Sequence, residues 1–315
     1  VIEATKVTDS ISEHGVRLLT MKLRYPKMIH GEFMTHRVFS RNASSSRAVP
    51  TAKLIEEVRS SALRAVPVSW GQNQKGMQAG GELTGDTLRL VQECWSSAAN
   101  DAAHWAEKMS RVGAHKQVVN RILEPYTHIN TVVTSTKWWN FFGLRLDKAA
   151  QPEMRVLAEA MWVVFNESAP LYLGHGQWHL PFVDSEDIAE ISSMHGYEIL
   201  NREPATNYPA MDMDLVVEDT IKVSVARCAR VSYESHETGK RSMVEADIKL
   251  HDFLLMSRHL SPFEHQATPD EPVFSSPRGS ILWRRPEEHG NFVGWRQRRK
   301  QISDEAIAPL PEEDR

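Results

Sequence analysis

Between Leu88 and Val112 the apolar residues recur in steps of three and four: Leu88, Val91, Trp95, Ala98, Ala102, Trp105, Met109 and Val112, with Gly113 ending the run. That spacing draws a single stripe along an α-helix. The stripe is expected to face a core, so its tryptophans read as packing residues and Cys94, which lies along it, as a small core residue. A second period appears at Leu19, Met21, Leu23 and Tyr25, which alternate with Thr20, Lys22 and Arg24 until Pro26 closes the strand. Tyr126 to Ser135, rich in Thr and Val, reads as another strand. Helical spacing is found at Ile29, Phe33, His36 and Ser40, and over Lys53 to Arg64. It recurs from Pro152 through Met154, Leu157, Met161 and Phe165, then at Ile221, Val225 and Cys228, and at Val244, Ile248, His251 and Leu255. The chain therefore mixes both kinds of element.

Organisation between these elements is uneven. Residues 71–85, GQNQKGMQAGGELTG, carry no helical or strand period and suit either a loop over a site or a surface insertion. Residues 201–214, NREPATNYPAMDMD, have the composition of a linker. The expected plan is one catalytic domain over 1–315. It comprises a segment 1–183, a connecting segment 184–214, a segment 215–301 and a tail 302–315. No repeat of solenoid length occurs. The 315 residues carry 37 Lys and Arg against 41 Asp and Glu, a formal charge of −4, which does not advertise a nucleic-acid binder. No apolar run is long enough for a bilayer, and the first residues lack the basic start and apolar stretch of a signal peptide. Two cysteines exclude a disulfide scaffold and fit a reducing cytosol, so a cytoplasmic location is expected, that of the host if the source is viral. Cys228, in ARCARVSY, lies between arginines that would lower a thiol pKa, or is simply packed.

The chain has no Walker loop and no GxGxxG fingerprint. His175 and His179 in GHGQWH have the spacing of two zinc ligands on a helix face, but the glycines and Pro181 favour a loop and no third ligand is indicated. The densest chemistry lies in THRVFSRNASSSRAVP, residues 35–50. Three arginines (Arg37, Arg41, Arg47), four serines and Asn42 occur there with no acidic neighbour. Guanidinium forks with hydroxyls and loop amides suit phosphate groups; the alternative is a solvated basic turn. Arg121 lies in NRILEP and Arg145 in WWNFFGLRLD, where flanking aromatics favour burial. A buried arginine needs a partner, which Asp147 or Glu153 could supply. HLSPFEH, residues 259–265, places two imidazoles and a carboxylate around a proline turn.

Taken together these motifs resemble the flavin-dependent thymidylate synthases. Against the family signature RHRxxSxNxxSxR, this chain keeps His36, Arg37, Ser40, Asn42, Ser45 and Arg47. NRILEP with WWNFFGLRLDKAAQPEMR is similar to the family's second conserved stretch, and ARVSY at 229–233 with SPFEH at 261–265 to its third. The order differs: in ordinary members ARVSY and SPFEH come before the RHR motif. The chain thus looks circularly permuted or rearranged, with NFVGWRQRRKQ standing after SPFEH where a Q-W-x-R-H-R run is expected.

The resemblance implies an α+β fold of mixed helices and an antiparallel-rich sheet, assembled as a homotetramer with shared sites. It implies FAD, NADPH and 5,10-methylenetetrahydrofolate, and conversion of dUMP to dTMP with no attacking cysteine; neither a membrane nor a stable nucleic-acid partner is expected. Carried over by position, His36, Arg37, Asn42 and Asn140 would hold FAD, joined by Ser232, His259 and Ser261. Ser45, Ser46, Arg47 and Arg121 would hold the nucleotide phosphate, and Arg145 would face the pyrimidine as the catalytic residue.

Several positions depart from the pattern. Thr35 replaces the first arginine, Ala43 a glutamate, Ser46 a glycine, Glu32 a glutamine, Phe33 a tryptophan and Ala149 a histidine. Arg41 and the Arg296 to Lys300 cluster are candidates to compensate for the lost arginine. These changes leave two other readings: methylation or hydroxymethylation of dUMP or dCMP for modified DNA, as in a phage, and a non-catalytic nucleic-acid-binding homologue.

Overall fold

The N-terminal residues form two long paired strands, β1 (Glu3–Ser12) and β2 (Arg17–Pro26). After them come α1 (His30–Phe33), β3 (Ser40–Ala43), α2 (Thr51–Arg59), α3 (Gly85–Arg111), α4 (Lys116–Val119) and β4 (His128–Ser135). Next are α5 (Trp139–Arg145), α6 (Pro152–Glu167), β5 (Leu171–Leu173), α7 (Ser185–Met194), α8 (Met213–Arg230) and α9 (Val244–Met256). The chain ends in four short strands, β6 (Ala267–Pro269), β7 (Pro272–Ser275), β8 (Ile281–Trp283) and β9 (Trp295–Gln297). This computed structural model describes residues 1–195, 213–231, 242–275 and 281–306.

Strand order in the main sheet is β3-β4-β2-β1-β5, antiparallel except for the β1–β5 pair. Two small antiparallel ribbons, β6–β9 and β7–β8, complete a mixed α+β architecture. The β2 alternation does what its period implies: Leu19, Met21, Leu23 and Tyr25 are fully buried in one cluster with Phe141, Phe142, Met154, Leu157 and Met161 of α5 and α6. Helix α6 starts where Pro152 predicts, with the Gln151 side chain accepting the Met154 N–H. The opposite face of β2 is also closed. Leu18 clusters with Phe292 and Trp295 from the C-terminal segment, and Thr20 is fully buried.

Four expectations are corrected. The helix expected over 29–40 ends at Phe33, because the Thr35 hydroxyl takes the Glu32 carbonyl (2.7 Å), Arg41 takes those of Met34 and His36, and Ser40–Ala43 join the ladder with β4. Helix α2 stops at Arg59 instead of reaching Arg64, whose side chain folds back to donate to the carbonyls of Val58 (2.7 Å) and Arg59. Helix α3 exists as expected, but its stripe is not core: the buried line is Ala99, Ala103 and Ala106, clustered with Leu54, Ile55 and Val58 of α2. Alanines admit that close approach and the larger residues do not, so Trp105 and Val112 remain 55% and 84% exposed and Cys94 is exposed too. Finally, α7 lies inside the expected connector. Asp184 caps it, in a reciprocal box with Asp187. Residues 201–212 of the linker candidate lie outside the described residues.

Helices α7, α8 and α9 are bound by a buried charge network. Arg227 donates to both Asp187 oxygens (2.6 Å each) and to Asp247 (3.0 Å), while Arg230 reaches the other Asp247 oxygen (2.6 Å). The arginines beside Cys228 are therefore directed at carboxylates, and the thiol is packed, its pKa pushed up by burial.

Candidate active site

Helix α5 is anchored by its aromatic face. Phe141 and Phe142 are buried with Phe33, Phe39 and Trp138, and the Trp138 indole donates to the Ser135 carbonyl at 3.0 Å. This fixes the last turn of the helix, where a cation is favoured, and carries Arg145 to the turn at His36. Arg145 Nε donates to His36 Nε2 at 2.9 Å, with Thr35 Oγ1 at 3.5 Å from its Nη2. The expected partners are thus corrected: Asp147 accepts the Ala149 N–H and Glu153 the Val68 N–H, so neither reaches Arg145. Arg145 is half-buried, and among the described residues its side-chain contacts are His36 and Thr35, with no carboxylate. Burial first, then the charges of Arg145 and Arg41, push His36 down to about 4. An Nε2 that accepts from an arginine leaves the His36 proton on Nδ1, and the ring stands T-shaped to Phe141 (4.8 Å between ring centroids).

The C-terminal segment meets this turn from the other side. Ser261–Glu264 forms a 3-10 turn, and the Asn42 amide of β3 donates to the Ser261 carbonyl (3.1 Å) and the Arg41 carbonyl (3.0 Å). His265, fully buried, lies 3.4 Å from the same amide and bonds Thr134 Oγ1 of β4 at 2.8 Å. Gln297 of β9 donates to Ser40 Oγ (3.2 Å) and to the Glu264 carbonyl (3.0 Å). The pieces of SPFEH and of NFVGWRQRRKQ are thereby brought against the THRVFSRN loop, although more than 200 residues separate His265 from Asn42.

A second cluster gathers Ser46 and Arg121 on one carboxylate. Glu124 accepts from Ser46 Oγ (2.6 Å), Lys27 Nζ (2.7 Å) and Arg121 Nη1 (2.9 Å). Burial alone would raise the Glu124 carboxyl, but Lys27, Ser46 and the charge of Arg121 outweigh it and hold it below its usual value. Beside this cluster opens a cavity of about 530 Å³ lined by Ser44, Ser46, Lys27, Lys53, Glu57 and Asn130. Neither Glu124 nor Lys27 stood out in the sequence, though a Glu three residues after Arg121 was a readable pairing.

The other predicted residues are less closely knit. Arg37 and Arg47 are exposed, Ser45 is half-buried, and Asn140 is exposed five residues before Arg145 on α5. His259 is exposed, with Nδ1 on Ser257 Oγ (2.8 Å), two residues before Ser261. Ser232 lies outside the described residues. The Arg296 to Lys300 cluster is not free to compensate for Thr35: Arg296 pairs with Glu288, Arg298 with Glu218, Arg299 with Glu264 and Glu305, and Lys300 with Glu305. Arg41 is turned onto its own loop's carbonyls. His175 faces Glu271 at 2.9 Å while His179 is buried on Ser10 and Thr20, so the pair does not converge. Among the described residues no group of three or more His, Cys, Asp or Glu is arranged to hold a metal, and no helix is long and apolar enough to cross a membrane.

Comparison with known proteins agrees with the motifs. Residues 7–171, just over half of the chain, match the family model described as thymidylate synthase complementing protein. No curated protein matches the chain. Among solved structures it is similar to the UMP/dUMP methylase PolB from Streptomyces cacaoi bound with 5-Br UMP, at 19% identity over 55% of this chain and 90% of that one, with a TM-score of 0.44. The same methylase bound with 5-Br dUMP gives 18%, 55%, 91% and 0.43. The chain belongs to the thymidylate synthase complementing protein family, that of the flavin-dependent thymidylate synthases, and is an enzyme of the methyltransferase type.

Proposed function

We propose that this chain methylates dUMP to dTMP, taking the one-carbon unit from 5,10-methylenetetrahydrofolate and the reducing equivalents from NADPH through FAD. The observation that carries the reading is the Arg145–His36 pair, a guanidinium held at 2.9 Å by a neutral imidazole in a half-buried turn. A cation fixed in that way, with no carboxylate on it, favours the anionic form of a pyrimidine ring as C5 becomes nucleophilic. Charge built up on the ring needs no reorganisation of Arg145, because α5 and His36 have already oriented it.

The donor set also suits a planar, anionic, many-sided cofactor. Arg37 is exposed, Asn42 and Ser261 sit side by side, and no acid lies among the partners of Arg145. His36, Arg37, Asn42, Asn140, His259 and Ser261 would hold FAD, with Ser232 as the family pattern assigns it; bound there, the flavin supplies the redox chemistry. Ser45, Ser46, Arg47 and Arg121 would hold the phosphate, with the neighbouring 530 Å³ cavity in the size range of small-molecule sites. Glu124 must then give up Arg121 and Ser46 to the phosphate while keeping Lys27. The exposed Leu90 and Trp105 on α3, with Val112 just past its end, support assembly into a homotetramer. The work is expected in the cytoplasm, on free nucleotide and without a nucleic-acid partner.

Product mass tests the reading. With all co-substrates, dUMP should gain a methyl group, and Arg145→Ala should cut turnover by about a hundredfold or more. A product only from dCMP, or one carrying hydroxymethyl, would replace the substrate or the product; full activity of Arg145→Ala would remove the proposed role.

A further inference from the structure

The row of residues that β1, β2 and β4 present beneath the C-terminal segment forms a continuous buried hydrogen-bond chain. Ser10 Oγ bonds His179 Nδ1 (2.8 Å), His179 Nε2 bonds Thr20 Oγ1 (2.8 Å), Thr20 bonds Thr134 Oγ1 (2.7 Å), and Thr134 bonds His265 Nδ1 (2.8 Å). His265 Nε2 then faces the Asn42 amide at 3.4 Å. Every member of the chain as far as His265 is at most 1% exposed.

Such a chain can run in either direction, and one group decides which. The inward atom of the Asn42 amide touches two carbonyl oxygens, of Ser261 and Arg41, so it is Nδ2. His265 Nε2, facing that NH2, must be bare, so the neutral ring carries its proton on Nδ1 and donates to Thr134. Thr134 then donates to Thr20, Thr20 to His179 Nε2, and His179 Nδ1–H to Ser10. Both imidazoles are kept neutral by complete burial, with pKa values pushed down to about 3.

We propose that His265, held as the Nδ1–H tautomer by Thr134, Thr20 and His179, is a positioning residue that acts with the Ser261 and Arg41 carbonyls to keep the Asn42 amide with Oδ1 turned outward. The site then offers a hydrogen-bond acceptor at this point and selects a ligand group bearing N–H or O–H, such as a ring imide. The opposite tautomer would set an Nε2–H against the Asn42 NH2 and oppose the orientation that the Ser261 and Arg41 carbonyls favour. That Asn42 touches the ligand rests on the proposed function; the tautomers do not.

Long-range proton–nitrogen correlation on histidine-labelled full-length protein, with His265→Gln and His179→Gln for assignment, reads the tautomers without any ligand. Both rings are expected neutral with the proton on Nδ1; an Nε2–H or doubly protonated His265 overturns the proposal. The ligand consequence is read with Thr134→Val, which keeps the shape and removes the hydroxyl, against Thr134→Ser as rescue. FAD affinity should fall about tenfold in the valine variant and return to within about twofold in the serine variant. Unchanged affinity in a folded Thr134→Val overturns the positioning role. Wild-type protein that takes up no FAD would overturn the proposed function, while the tautomer result still decides this inference.

Discussion

At the scale of single residues, the site is built on histidines that remain uncharged. His36 accepts from Arg145 only while Nε2 is bare, and His179 and His265 link three strands only while neutral. An unfolded histidine takes up its proton near pH 6.5, whereas His179 and His265 do so near 3 in the folded chain. Between those values the unfolded state binds more protons, so stability present above pH 6.5 is lost as the pH falls towards 3. The slope is about 1.4 kcal/mol per pH unit for each histidine. Denaturant unfolding at a series of pH values should show this, and His265→Gln should remove one histidine's share. Equal slopes in wild type and variant would mean that His265 is not buried and neutral. His36 protonates nearer 4, releasing Arg145 below that pH. None of these pairings was legible in the sequence. His36 and Arg145 were singled out, but 109 positions separate them, and the nearer acids at 147 and 153 were the natural partners to name.

At the scale of elements, periodicity marked whatever faces a single apolar surface, and it missed what a side chain or a third element decides. The β2 and β4 strands and helices α6 and α9 lie where their patterns put them, because each buries apolar side chains along its length. Helix α3 was readable as a helix but not by its buried side, since alanines took the contact that larger residues appeared to claim. The ends at Phe33 and Arg59 are set by Thr35, Arg41 and Arg64 reaching back to carbonyls, and α7 by an aspartate box inside a polar stretch. The α7–α8–α9 contact rests on Arg227, which holds two fully buried carboxylates, Asp187 and Asp247. Arg227→Ala removes the guanidinium that binds both Asp187 oxygens, leaves Asp247 with Arg230, and should cost about 3–5 kcal/mol in denaturant unfolding. A loss under about 1 kcal/mol would show that the network does not hold these helices together.

At the scale of the whole molecule, motifs far apart in sequence are brought together in space. Contacts from His265, Gln297 and Trp295 tie the C-terminal segment to β4, to Ser40 of β3 and to the Val16 carbonyl before β2, next to the loop that carries the signature. Sequence order is therefore no barrier to one site, because the sheet and not the chain sets which groups are neighbours. The family was legible because short motifs survived; the charge balance around Glu124 was not, since it depends on Glu124 and Lys27 meeting across 97 residues. The apolar face of α3 also belongs to this scale. Trp105→Glu should shift the protein to smaller species in sedimentation velocity, and an unchanged distribution would exclude this face from the assembly. The proposed flavin site recognises a uracil nucleotide. Its most direct test is the visible absorption spectrum of the purified protein, with identification of the flavin released on denaturation. Bound FAD is expected, with a spectrum that shifts on adding dUMP and not on adding dCMP. No flavin after incubation with excess FAD would contradict it.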